Sequence, residues 1–314
     1  MVIDIASAPD EEAESTGSSG EPEPTTEPRT GPPIPGPLAI TLAVVMVLSV
    51  AVAFFGAFAF GLSGLQEQRS QHQLYAKFRG LIAPAAEVAP PIGGTIAAGT
   101  PVALLNAPQA GLHNVMVVEG TSSGDLLAGP GHVANTPLPG QPGESVLVGK
   151  SSTAGAPFSG ITRLEKGDVI TIRTGQGQFH FAVLGRLVPG QRLPKITSAQ
   201  GLLTLVTSAG PGTLGGLAPD HLVYVDAKLQ GQVVPAPPGR PTTIPAAQVQ
   251  GHNDPNAWPF VALWLLVLLA GSAACWWLWA RWGIFRTWLV GAPVLFGVLW
   301  ALSNETMRLL PNVY

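Results

Sequence analysis

The chain of 314 residues has a formal net charge of −3, and its acids gather near the start, so no basic face is offered to nucleic acid. A single cysteine, Cys275, excludes an intramolecular disulfide and lies inside an apolar run, where a thiol reads as packing rather than as a nucleophile. Hydrophobic residues make up 46% of the chain and fall in a few long runs, which divides it as a membrane protein rather than as two soluble domains.

Residues 1–36 hold eight acids, one arginine and many Pro, Gly, Ser and Thr, with almost no large apolar side chain to offset the entropy of ordering. A disordered acidic tail on the cytoplasmic side is expected. The run from Leu38 to Leu62 carries no charge and exceeds the roughly 20 helical residues that cross a hydrocarbon core, which predicts a retained anchor over 37–63. It lacks the basic flank and small-residue cleavage site of a signal peptide. Leu74, Phe78 and Leu81 recur at helical spacing between Gln66 and Ile82, so 64–100 reads as a juxtamembrane helix followed by a Pro- and Gly-rich linker.

From Pro101 the pattern changes to short β-type runs at 101, 113, 144, 169, 178, 202 and 221, separated by turn residues. Seven or eight strands at this spacing predict a mainly β fold, a closed barrel or sandwich over 101–232. Thr121 to Leu127 and Phe158 to Leu164 read as short helical turns. A Pro-rich tether fills 233–257.

A second span is predicted over 258–280. A third over 284–303 reaches spanning length if Arg286 snorkels, and a short tail follows over 304–314. The loop Ala280 to Arg286 carries Arg281 and Arg286, which by the positive-inside tendency places it in the cytoplasm and the β region outside. The cluster of Arg69, Lys77 and Arg79 after the first span argues the other way, but large domains translocate with little regard to flanking charge. Trp258, Trp276, Trp277, Trp279, Trp282 and Trp288 fall near span ends, as an interfacial belt would, and a helix-packing surface for a membrane partner is the alternative. The expected location is the cell membrane, multi-pass, with the N-terminal region cytoplasmic.

Several ordered segments resemble one family. GTPVALL, VVEGTSSGDLLAGPGH, NTPLPGQPGESVLVG, STAGAPF, RLEKGDVITIRT and LLTLVTS are similar to the motifs of sortases, the cysteine transpeptidases of bacterial envelopes, and most to the class D and E, actinobacterial type. The resemblance covers roughly residues 74 to 230. It implies an eight-stranded β-barrel with a groove for an extended peptide, and a site built from a cysteine, a histidine and an arginine. At the matching positions stand Ser208, Lys150 and His221, the last beside Asp220. Thr207 precedes the nucleophile position, while Pro157 and Phe158 close the Pro-Phe motif. With His132 of the Gly-Pro-Gly-His run, these three are the candidate binding residues.

A thiol of pKa about 8.5 is readily held as thiolate, whereas a serine hydroxyl needs a base at the moment of attack. Lys150 serves as that base only if burial lowers its pKa far below about 10.4. His221 is a weaker oxyanion donor than a guanidinium. The expected function is therefore a degenerate, non-catalytic sortase-like barrel that binds an extended peptide or envelope protein, or scaffolds a membrane complex. The alternative is a transpeptidase or hydrolase using a Ser208-Lys150 pair, with His221 or His132 assisting. Histidines 72, 113, 180 and 252 show no zinc-ligand spacing and the barrel's acids no oxygen-rich cluster, so no metal or other cofactor is expected.

Overall fold

The computed structural model describes residues 36–83, 90–187, 200–210 and 219–313. The predicted acidic tail lies outside the described residues except for Gly36, as does part of the linker after the first helix.

Eight strands close a barrel in the order β1-β2-β3-β4-β7-β8-β6-β5. They are β1 (Pro101–Ala107), β2 (Leu112–Glu119), β3 (Gly131–His132), β4 (Gly143–Val148), β5 (Val169–Thr174), β6 (Gly177–Leu187), β7 (Gly201–Ala209) and β8 (His221–Gln230). The pairs β2–β3 and β4–β7 are parallel, and antiparallel pairing of β1 with β5 completes the ring. Alternate positions of β5 and β6 turn inward, so Ile170, Ile172, Phe179, Phe181 and Val183 join Leu105, Leu147, Leu203, Leu205 and Val225 in one core. In β7 the first eight residues are all buried. That strand is covered on both faces, inward by the core and outward by Val313 and its neighbours. The expected mainly β barrel is present, and only the two-residue β3, too short to show a period, escaped the sequence pattern.

Among the described residues three helices are long and apolar enough to cross a membrane. The first is α1 (Pro37–Ala57), which passes through a π-helical turn, Phe58–Leu62, into α2 (Ser63–Leu81) without a break. The π turn falls where the helix meets the barrel. Phe58 and Ala59 are buried against Leu127 and Ala154, and Ser63 Oγ donates to Ala59 O at 2.7 Å while accepting from the Ala154 amide at 3.1 Å. The other two helices form a hairpin, α3 (Trp258–Trp282) and α4 (Ile284–Met307), turning at Gly283 with a positive φ of 81°. Helix α4 extends one turn beyond the expected 303 and packs on α1 and the π turn through edge-to-face contacts of Phe54 with Phe296 and Phe58 with Trp300.

The helix ends fix the geometry. The C-terminal end of α1, the start of α3 and the end of α4 all meet the barrel side, as the bonds Ser123 Oγ to Met307 O and Arg308 to Asp254 record. Helix α3 is about 37 Å long at 1.5 Å per residue, so the Gly283 turn, with Arg281 in the last turn of α3 and Arg286 in the first turn of α4, lies at the far end. Arg281 there covers the Trp277 ring at 4.4 Å.

Candidate functional site

The site forms where two parallel strands end together. Val148 of β4 is opposite Val206 of β7, and the ladder continues as the Gly149 amide donates to Val206 O at 3.0 Å. Thr207 stitches the same junction, its hydroxyl donating to Gly149 O at 2.9 Å. Gly149 is required by close approach, because a Cβ there would lie 2.4 Å from the Phe158 ring. That ring is wholly buried in the barrel core, and the Phe158 amide donates back to Lys150 O. The loop between them folds tightly, with Ala154, Gly155 and Ala156 all at positive φ and Pro157 half-buried.

This loop brings Lys150 and Ser151 beside the end of β7, with different outcomes. Lys150 is fully buried, not a solvated rim charge. Its ammonium makes a 3.5 Å hydrogen bond to Ser123 Oγ, and no carboxylate pairs with it among the described residues. Burial alone lowers its pKa from the usual 10.5 to about 7. Ser208, 4% exposed, does not meet that ammonium. Its neighbours are Ser151 Oγ at 2.8 Å and the carbonyl oxygen of Val313 at 2.8 Å.

Val313 belongs to the segment that follows α4. Its carbonyl oxygen accepts from the Ser151 amide at 3.1 Å, from Ser151 Oγ at 3.2 Å and from Ser208 Oγ, and its side chain sits among Leu126, Val133, Val148 and Val206. The preceding Asn312 is also fully buried. Its Nδ2 donates to Thr121 O at 2.7 Å and Val249 O at 3.1 Å, and its Oδ1 accepts from the Gly251 amide at 2.8 Å. A stretch expected to be a plain tail thus crosses the ends of β4 and β7.

The histidines lie elsewhere. His221 opens β8 opposite Ala209, with its side chain 39% exposed and its Nδ1 2.5 Å from the carboxylate of Asp220. His132 is fully buried. Its Nδ1 meets Glu119 Oε2 at 2.9 Å, and Arg240 of the tether reaches the other oxygen of Glu119 at 2.6 Å. His132 Nε2 approaches Pro137 O and Thr136 Oγ1. The cluster ties the 233–257 tether to the barrel wall. Among the described residues no group of three or more His, Cys, Asp or Glu side chains is gathered to hold a metal ion.

Residues 105–226 match the family model described as Sortase domain. The match runs from within β1 to within β8 and leaves the three long helices outside it. The closed eight-stranded ring is thus a sortase-type barrel. Among solved structures, a Clostridium perfringens sortase D5 transpeptidase is 24% identical, over 52% of this chain and 98% of that one, with a TM-score of 0.41. Sortase E from Streptomyces avermitilis is 27% identical, over 49% and 99%, with a TM-score of 0.37. SrtA sortase from Actinomyces oris is 27% identical, over 51% and 97%, with a TM-score of 0.39. No curated protein matches the chain.

Of the residues singled out from sequence, the sortase-type barrel gathers Ser208, Thr207, Lys150 and Phe158 at one strand end. His221 stands at the rim and His132 lies apart. Sequence reasoning missed Ser151, Asn312 and Val313. The available signal was the count of spans, which puts residues 304–314 on the same face as the barrel.

Proposed function

We propose that this is a membrane-anchored sortase-type barrel that binds an extended peptide or a segment of an envelope protein and does not carry out acyl transfer. The observation that carries this reading is the direction of the Ser208 hydroxyl. Ser208 Oγ lies 2.8 Å from both the carbonyl oxygen of Val313 and Ser151 Oγ, so its one proton faces these two oxygens and not a base, at the family's nucleophile position. A nucleophile would instead give its proton to a base and approach the carbonyl carbon. The base candidate is turned to Ser123, and the residue at the arginine position bonds its own neighbour. Arg281 and Arg286 flanking the α3–α4 turn favour a cytoplasmic position for that turn, which supports the barrel and the segment after α4 lying outside the cell membrane. The exposed apolar faces of α1, α3 and α4 suit lipid or the subunits of a membrane complex.

One observation favours the enzyme reading. With its pKa near 7, Lys150 meets the acidity requirement of a Ser-Lys pair. The discriminating experiment is intact-protein mass spectrometry after a fluorophosphonate or β-lactone probe. It uses the detergent-solubilised full chain, a variant ending at Leu310 that uncovers Ser208, and Ser208→Ala. No adduct on Ser208 in either of the first two is expected. An adduct that disappears in Ser208→Ala and in Lys150→Ala overturns the non-catalytic reading.

A further inference from the structure

We infer that the barrel carries a built site for an asparagine-aliphatic step of an extended peptide, and that Pro311–Val313 of this chain occupy it in cis. A peptide in trans then enters only when they leave. The inference rests on the reading of the barrel as a peptide-binding module and names both its ligand chemistry and its resident competitor.

The site has three parts. The first is an amide pocket. A side-chain amide has two donor hydrogens and an acceptor oxygen, and here both hydrogens meet backbone carbonyls, Thr121 O and Val249 O, while the oxygen meets the Gly251 amide. The Asn312 backbone amide is also fixed, donating to His252 O at 3.0 Å. Aspartate fits this pocket badly, because its carboxylate would face two carbonyl oxygens with nothing to donate. The second part is a small apolar cup, Leu126, Val133, Val148 and Val206, that takes a side chain of valine size. The third is the carbonyl clamp of Ser151 N, Ser151 Oγ and Ser208 Oγ, which reads only the backbone.

These groups come from separate parts of the chain: Thr121 after β2, Ser151 after β4, Ser208 on β7 and Val249–His252 in the tether. They converge on two residues that are 0% and 1% exposed. Discrimination follows from burial, since a buried polar pocket left unpaired costs more than a matched one gains. Tethering also favours the resident. A segment joined by a short linker acts at an effective concentration of about millimolar or above, so a free peptide of equal chemistry competes poorly.

The test uses a fluorescein-labelled peptide with the sequence of residues 309–314, read by fluorescence anisotropy against detergent-solubilised protein. The partners are the full chain, a variant ending at Leu310, and the full-length Asn312→Asp chain, each first shown to melt cooperatively. Binding to the shortened chain is expected, with affinity for the unaltered full chain at least about tenfold weaker. The Asn312→Asp chain, whose own segment no longer fits, should regain binding, and it carries the test if the shortened chain does not fold. The same peptide with aspartate in place of asparagine should bind at least about tenfold more weakly. Equal binding by full and shortened chains overturns cis occupancy and leaves the peptide-binding reading standing. No binding by any form, or equal binding of the two peptides, overturns the assigned ligand chemistry. A Ser208 adduct would count against the non-catalytic reading without touching either result.

Discussion

The hydroxyl of Ser208 lies 2.8 Å from the carbonyl oxygen of Val313, and Ser151 supplies two more donors to the same oxygen. The Ser151 amide and two hydroxyls, which share their two protons between this carbonyl and each other at 2.8 Å, make a clamp in which each member is partly redundant. Ser208→Ala should therefore cost little in global stability, about 0.5–1.5 kcal/mol, because the Val313 oxygen keeps its bonds to Ser151. The local effect is larger. Hydrogen exchange at the Ser151 amide, which donates to Val313, should speed up severalfold, while core amides of β7 remain as protected as before. Unchanged exchange at Ser151 would show that Ser208 does not hold the segment.

Lys150 yields a pH-dependent prediction. Its folded pKa of about 7 lies below the usual 10.5, so between these values the unfolded chain keeps a proton that the folded chain has released. Stability contributed by this group therefore rises with pH across that window, and the penalty for burying the charge is greatest at and below about pH 7. Lys150→Met keeps the buried volume and removes the charge. It should raise the unfolding free energy most at and below about pH 7, by on the order of a few kcal/mol, with a higher thermal midpoint there, and the advantage should shrink as pH rises. A midpoint lowered at every pH would mean that the ammonium has a partner worth more than its burial costs.

The barrel was largely legible because strands announce themselves by alternation, and seven of the eight did so. Phe158 and Gly149 were visible as a motif, but the reason for pairing them, a ring set directly on an absent side chain, appears only in three dimensions. Lys150 is marked in sequence by its motif position, but nothing there shows that it is buried. Its burial depends on α4 ending beside Ser123, a contact of residues far apart in the chain. The same holds for Asn312 and Val313. Their composition is that of any short tail, and what they recognise is mostly backbone, which carries no sequence signal.

Glu119, only 1% exposed, pairs with Arg240 through one oxygen and meets the His132 ring through the other. Removing one partner of a buried pair leaves an uncompensated charge. Arg240→Ala should accordingly destabilise the chain by up to about 3–5 kcal/mol, with the adjacent tether more open to protease. Glu119→Gln combined with Arg240→Ala removes the stranded carboxylate and should recover part of the loss. A double variant as unstable as the sum of the singles would argue that the cluster has no coupling.

Gly149 presents the sharpest steric test. A methyl group there would stand 2.4 Å from a ring that is itself fully buried, so neither atom can yield cheaply. Gly149→Ala should cost about 1–3 kcal/mol or more by overpacking, and it should displace the Lys150–Ser151 turn that begins one residue later. Coupling to the site follows from that position. The variant should weaken the hold of the Ser151 amide on Val313, seen as faster exchange at Ser151. Adding Phe158→Leu, which frees the space over the glycine, should reverse part of both effects. If the double variant exchanges at Ser151 as fast as Gly149→Ala alone, the ring is not what positions the clamp.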